Sequence, residues 1–144
     1  MRFWDSSALV PLLVEERSSA ALRAEYRSDP VVMAWWATEV ECASALSRLE
    51  RSGVVSSAEL VRARERLRAM VASWRIIEPV EPVKATATRL MRVHPLAAAD
   101  SLQLAAALEG AERRPGTLGF LALDERLARA AEREGFPLVT PVAG

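Results

Sequence analysis

Short apolar runs alternate with longer helical stretches along the 144 residues of this chain, and that alternation limits the folds open to it. Met1–Trp4, Val31–Ala34, Trp74–Ile77, Leu118–Leu123 and Leu138–Thr140 read as strands, because each is short and mostly apolar rather than alternating. Helical patterns fill the intervals: one from Ser6-Ser7 to Leu13, then Ser18–Arg27, Thr38–Arg51, Ser56–Ser73, Pro82–Val93, Ala97–Glu112 and Glu125–Glu134. Ser28-Asp29-Pro30, Ser52-Gly53, His94-Pro95, Arg113–Thr117 and Gly135 punctuate them. Strands apolar throughout, with helices between them, predict a parallel sheet covered on both faces. The expected architecture is an α/β three-layer sandwich with about five short parallel strands. At this length, residues 1–144 read as one domain with a core of its own.

Four acids stand where this layout should be apolar. Asp5 closes the first strand and Asp124 follows the fourth; Glu41 and Asp100 lie among small and apolar residues near the starts of helices. An isolated carboxylate in an apolar setting costs several kcal/mol, on the order of 2–7 for a neutral polar group and more for a charge. Open α/β sheets bind ligands outside the carboxyl ends of their strands, and helix N-termini favour negative charge. Four carboxylates from four segments can therefore share one edge. One His and one Cys cannot build a nitrogen and sulfur site, whereas oxygen-only ligation suits Mg²⁺ or Mn²⁺. Taken singly, Asp5 and Asp124 read equally well as helix caps, and Glu41 as the partner of Thr38 in a capping box. Glu39 rivals Glu41, but two residues apart on a helix they point to nearly opposite sides.

Composition narrows the remaining classes. Nineteen basic and nineteen acidic residues cancel, so no global field favours a polyanion, although a local basic surface is still allowed. No run approaches the roughly 18 apolar residues of a membrane span, and Asp5 breaks any secretory leader. The single Cys42 excludes an internal disulfide and fits a reducing cytoplasm. A Gly-x-Gly-x-x-Gly loop is missing, which disfavours a dinucleotide site. Phosphoaspartyl chemistry would place a second Asp two residues after Asp5, where Ser7 stands.

Four segments carry a resemblance. Phe3-Trp4-Asp5-Ser6-Ser7-Ala8-Leu9-Val10, Glu41-Cys42-Ala43-Ser44-Ala45-Leu46, Ala99-Asp100-Ser101-Leu102 with the helix behind it, and Phe120–Leu127 with Gly135-Phe136-Pro137 occur in order along the chain. They resemble the motifs of the PIN-domain ribonucleases, most closely the VapC toxins of bacterial toxin–antitoxin pairs. The resemblance implies a metal-dependent endoribonuclease that hydrolyses RNA phosphodiester bonds in single-stranded or loop RNA. It implies Asp5 and Asp100 as direct ligands of Mg²⁺ or Mn²⁺, with Asp124 completing the site. Glu41 would bind through water or orient the nucleophile, and Ser7 would donate to a carboxylate or a phosphate. It also implies a homodimer and a cognate antitoxin whose tail occupies the acidic groove. Two positions depart from the family pattern: Gln103, where many members carry His, and Ser6, where Thr is commoner. The competing reading on the same fold is a catalytically inactive PIN-like module that binds RNA or protein; the presence of all four acids speaks against it.

Other residues have plainer readings. His94 before Pro95 is a helix end, and Cys42 a small buried residue. Trp35-Trp36 is core or interface more readily than a base-stacking platform. Arg62, Arg64, Arg66 and Arg68 form a solvated face that is also able to grip phosphates or an antitoxin tail.

Overall fold

The computed structural model describes residues 1–142. Its sheet has four strands: β1 (Arg2–Trp4), β2 (Val32–Trp35), β3 (Arg75–Ile77) and β4 (Gly119–Leu121). They lie in the order β3-β2-β1-β4 and every pairing is parallel. The crossovers are α1 (Ser6–Leu13), α2 (Ser19–Ser28), α3 (Thr38–Arg51), α4 (Ser57–Val71), α5 (Glu81–Val93) and α6 (Ala98–Gly110), and α7 (Glu125–Arg133) follows the last strand.

The apolar strands are explained by what each face covers. Side chains alternate across a sheet, so a strand buried on both sides must be apolar at every position. Phe3, Met33, Trp35 and Phe120 point to one side, where Leu90 of α5, Leu104 and Leu108 of α6 and Leu127 of α7 meet them. Trp4, Val32, Ala34 and Leu121 point to the other, against Leu9 and Leu13 of α1, Leu22 of α2, Leu46 of α3 and Leu60 of α4. In register, Phe3 sits opposite both Met33 and Phe120, and the Phe3 and Phe120 rings stack with centroids 5.4 Å apart. The result is the expected three-layer α/β sandwich.

The fifth expected strand does not form. Leu138–Thr140 reaches the sheet only through one parallel bridge, Phe120 to Leu138. Phe120 donates to the Pro137 carbonyl and receives the Val139 amide, but Pro137 has no N–H with which to continue a ladder. The fourth strand is also shorter than its apolar run. After Leu121 the chain leaves the sheet, and the Leu123 amide bonds the Ser7 side chain instead of a neighbouring strand. Thr38 is no cap: α3 begins at Thr38, preceded by Ala37 without a side-chain cap bond, so the expected box with Glu41 is absent. Ser56 does cap α4, accepting the Glu59 amide at 3.1 Å. Helix α6 ends at Gly110, short of the expected Glu112, because Glu112 and Arg113 take positive φ values of 51° and 62°.

This topology sets the site. Asp5 follows β1 directly, Asp124 follows β4 after a short turn, and α3 starts two residues beyond β2. Helix α6 ends where the chain turns toward the start of β4, so its first turn, with Asp100, lies at the opposite, carboxyl edge. Close approach of α6 to the sheet depends on Gly110. A Cβ there would clash with Met33 Sδ and stand 3.1 Å from Ile77 Cδ1. Gly110→Ala is therefore expected to cost about 1–3 kcal/mol by overpacking. Urea unfolding checks this, and an unchanged midpoint would show that Met33 yields freely.

Candidate active site

Asp5 is the buried centre of the edge, with 3% of its surface exposed. It takes extended backbone geometry as the cap of α1, and its Oδ2 accepts from the Ser7 amide at 3.1 Å and the Ser7 hydroxyl at 2.6 Å. The same hydroxyl oxygen accepts the Leu123 amide at 2.9 Å. Ser7 thus ties the β1–α1 corner to the segment that carries Asp124. Asp124 is exposed and caps α7, with Oδ1 accepting the Leu127 amide at 2.9 Å. Both capping roles are present, and the capping bonds recorded at each carboxylate use one of its two oxygens.

Glu41 is held differently. Ser6 Oγ donates to its Oε2 at 3.1 Å, and Gln103 Nε2 lies 3.2 Å from each of its oxygens and 3.0 Å from Thr38 Oγ1. Gln103 is fully buried and its Oε1 has no partner. The amide is oriented by electrostatics: reversed, its carbonyl would face a carboxylate. Glu41, Asp100 and Ser7, with Ser6, Val10 and Arg48, line an open cavity of about 580 Å³. Asp5 lies beneath Ser7 and Asp124 at the margin, neither of them in the cavity lining. Glu39 is exposed and also outside it.

The charges sense one another. Burial lifts the Asp5 carboxyl above its ordinary pKa; the Ser7 hydrogen bonds pull it back, and the charge of Asp124 lifts it further. Burial lifts Glu41 too, opposed by Gln103 and reinforced by Asp5. Asp100 is raised by burial, then by Asp124 and Asp5. None of the four acids joins an ion pair among the described residues. Their oxygens are the hard donors that Mg²⁺ or Mn²⁺ prefers, and the uncompensated charge is what a cation would offset, so the residues present fit such an ion. As they stand, no three acidic, His or Cys side chains among the described residues converge on one point. Mutual repulsion of carboxylates that share an edge is a sufficient physical reason for that spacing.

Ser6 and Gln103 stand out in the sequence only as departures from the family pattern; their role as a clamp on Glu41 has no local signal, since they come from α1 and α6 and meet only in the folded edge. Arg48, in the cavity wall, shares one helical stripe with Glu41 and Ala45. Cys42, beside Glu41 in sequence, is not a nucleophile here. Burial pushes its thiol up to about 12, with the charges of Asp5 and Glu41 adding to the effect. Trp35 is buried, and Trp36 is 55% exposed.

Comparison with known proteins places this geometry in a context. The model of the PIN domain family matches residues 2–140. Among solved structures, the Mycobacterium tuberculosis toxin VapC20, a sarcin–ricin loop cleaving toxin, is 17% identical, with a TM-score of 0.68 and 100% of both chains covered. FitAcB from Neisseria gonorrhoeae is 18% identical, with a TM-score of 0.68 and 98% of each chain covered. A toxin–antitoxin complex from Klebsiella pneumoniae is 16% identical, with a TM-score of 0.64 and 100% of both chains covered. At these identities the likeness is one of fold. No curated protein sequence matches the chain.

Raised carboxyl pKa values fix the sign of a pH effect. The folded state binds protons at Asp5, Glu41 and Asp100 more tightly than the unfolded chain does. The stability this confers is full below the ordinary carboxylate pKa and is lost as pH rises through the raised values. In EDTA, Asp100→Asn should therefore raise the melting temperature at pH 7, modestly because Asp100 is partly solvated, and should do less at pH 5. Calorimetry at the two pH values checks this; a lower midpoint at pH 7 would contradict the repulsion.

Proposed function

This chain belongs to the PIN domain family, and from that premise we propose that it is a metal-dependent endoribonuclease toxin, held in check by a cognate antitoxin. The observation that carries the proposal is the placement of Asp5, Glu41, Asp100 and Asp124 at one sheet edge, where no cation among the described residues forms an ion pair with any of them; burial and the neighbouring acids' charges lift the carboxyl pKa of Asp5, Glu41 and Asp100. Asp5 and Asp100 would hold Mg²⁺ or Mn²⁺ directly, with Asp124 completing the set. The bound ion would supply a Lewis acid beside the scissile phosphate and offset the negative charge gathered there.

The protein's own residues have distinct tasks. Ser7 fixes the Asp5 carboxylate by two hydrogen bonds to Oδ2 and anchors the Asp124 segment through the Leu123 amide. Glu41 faces the cavity, fixed by Ser6 and Gln103, where it can orient the attacking water and hold its proton. Arg48 is the one cation in the cavity lining and is placed to meet a phosphate oxygen of the substrate. The remaining elements of the reading are a single domain over residues 1–144, a homodimer, and action in the cytoplasm. No helix among the described residues is long and apolar enough to cross a membrane.

One observation favours a second reading, an inactive PIN-like module that binds RNA or protein: among the described residues no three acidic, His or Cys side chains converge on one point. Cleavage of a labelled total-RNA pool by purified protein with Mg²⁺, Mn²⁺ or EDTA separates the two. The nuclease reading expects cleavage with either metal and none in EDTA. Asp5→Asn and Asp100→Asn should fall to background while remaining folded. Cleavage by either variant at the wild-type rate would sink the ligand assignment.

Glu41→Gln should lose about 10²-fold, the usual contribution of a positioned acid or base, and Glu39→Gln nothing. The opposite ranking would remove Glu41 from the reaction. Gln103→Leu, which leaves Glu41 without its buried donor, should cost roughly 10–100-fold. An unchanged rate there would mean that the clamp is structural only.

A further inference from the structure

We propose that Arg126, Arg129 and Arg133 form a phosphate track on α7 that takes up the RNA strand as it leaves the acidic edge. The proposal rests on the endoribonuclease reading and adds to it the side on which the substrate runs. The three arginines, with His94, Pro95 and Ala130, line a cavity of about 240 Å³ that is separate from the one holding Glu41 and Asp100. No acid lines it. At roughly 100° per residue the three guanidinium stems fall within a sector of about 60° on α7, while Glu125, Glu132 and Glu134 fall outside that sector.

Two of those acids are also engaged elsewhere or held loosely. Glu134 is taken by Arg89 at 2.7 Å and His94 at 3.2 Å, and Glu125 reaches Arg129 only at 3.8 Å between two exposed side chains. His94, 4% exposed, forms the buried wall, and its Nδ1 has no hydrogen-bond partner. The cavity therefore presents three guanidinium groups with no carboxylate in its lining, which is the chemistry of an anion site.

Position identifies the anion. Arg126 is two residues beyond Asp124, at the acidic edge, and Arg133 lies about 10 Å farther along the helix axis. A row of this length spans about three steps of one stacked strand, at roughly 3.4 Å of axial rise each. Planar guanidinium forks suit phosphate oxygens, and contacts to phosphate carry no sequence information directly, so the track orients the strand and leaves sequence choice to the cavity beside Glu41.

The test uses full-length protein carrying Asp100→Asn, in EDTA, so that binding is read without cleavage. Fluorescence anisotropy of a labelled single-stranded RNA is followed across a salt series. It compares this protein with a version also carrying Arg126→Ala, Arg129→Ala and Arg133→Ala, and with a charge-matched control carrying Arg17→Ala, Arg27→Ala and Arg51→Ala. All six arginines are exposed. The slope of log affinity against log salt should flatten by about 2 in the α7 variant, roughly 0.7 per lost contact, and not in the control. With Asp100 restored and metal present, the α7 variant should raise KM and leave kcat unchanged. An α7 variant with the parent's slope, or a control that loses as much, overturns the track alone. A polyglutamate peptide bound as tightly as RNA, and lost equally with the α7 arginines, overturns it in favour of an acidic protein segment. No RNA binding by the parent overturns the track, while the nuclease reading stands or falls separately by the cleavage assay with metal.

Discussion

The Asp5 amide donates to the Leu121 carbonyl at 2.9 Å, so β1 and β4 end side by side and their next residues must share one edge. Everything at the site depends on that pairing. It brings Leu123 within reach of Ser7, and one hydroxyl then serves both segments, donating to Asp5 and accepting from Leu123. It also sets the start of α7, and with it Asp124 and the arginines that follow. A one-residue slip between the strands would turn Phe3 and Phe120 to the wrong face and separate the two acids together. The register that packs the core is thus the register that assembles the site.

The edge is built at a cost in stability. Three acids are held with their carboxyl groups above the ordinary pKa by burial and by each other, without a cation of the protein to offset them. A fold selected for stability alone would place an Arg among them, or replace Asp5 with Asn, which can also cap α1. Functional sites commonly keep such unfavourable arrangements because the ligand supplies what is missing. Glu41 shows the compromise most plainly. Its partners are neutral, Ser6 and Gln103, which fix the carboxylate without neutralising it.

Much of this was legible in the sequence. The apolar strands announced a sheet buried on both faces, and the acids after the first and fourth runs were placed by strand polarity alone. What was hidden arises from tertiary contact or from single backbone groups. Pro137 removes the N–H that would have extended Leu138–Thr140 into a strand. Thr38 accepts from Gln103 instead of capping its own helix, because the two helices meet there. The α7 arginines look like an ordinary solvated face until the His94-Pro95 corner closes one side of them into a cavity. His94, read as a plain helix end, does end α5, and it is also a buried wall of that cavity.

The central claim is that the acids at the carboxyl edge form a site for a divalent ion. Electron paramagnetic resonance of free Mn²⁺, titrated with the metal-free protein at pH 7, tests it without assuming any substrate. The account predicts loss of the free-ion signal with at least one equivalent bound, weakened in Asp5→Asn, in Asp100→Asn and at pH values low enough to protonate the raised carboxyls. A signal undiminished by the wild-type protein, or equal binding by Asp5→Asn and Asp100→Asn, would contradict it.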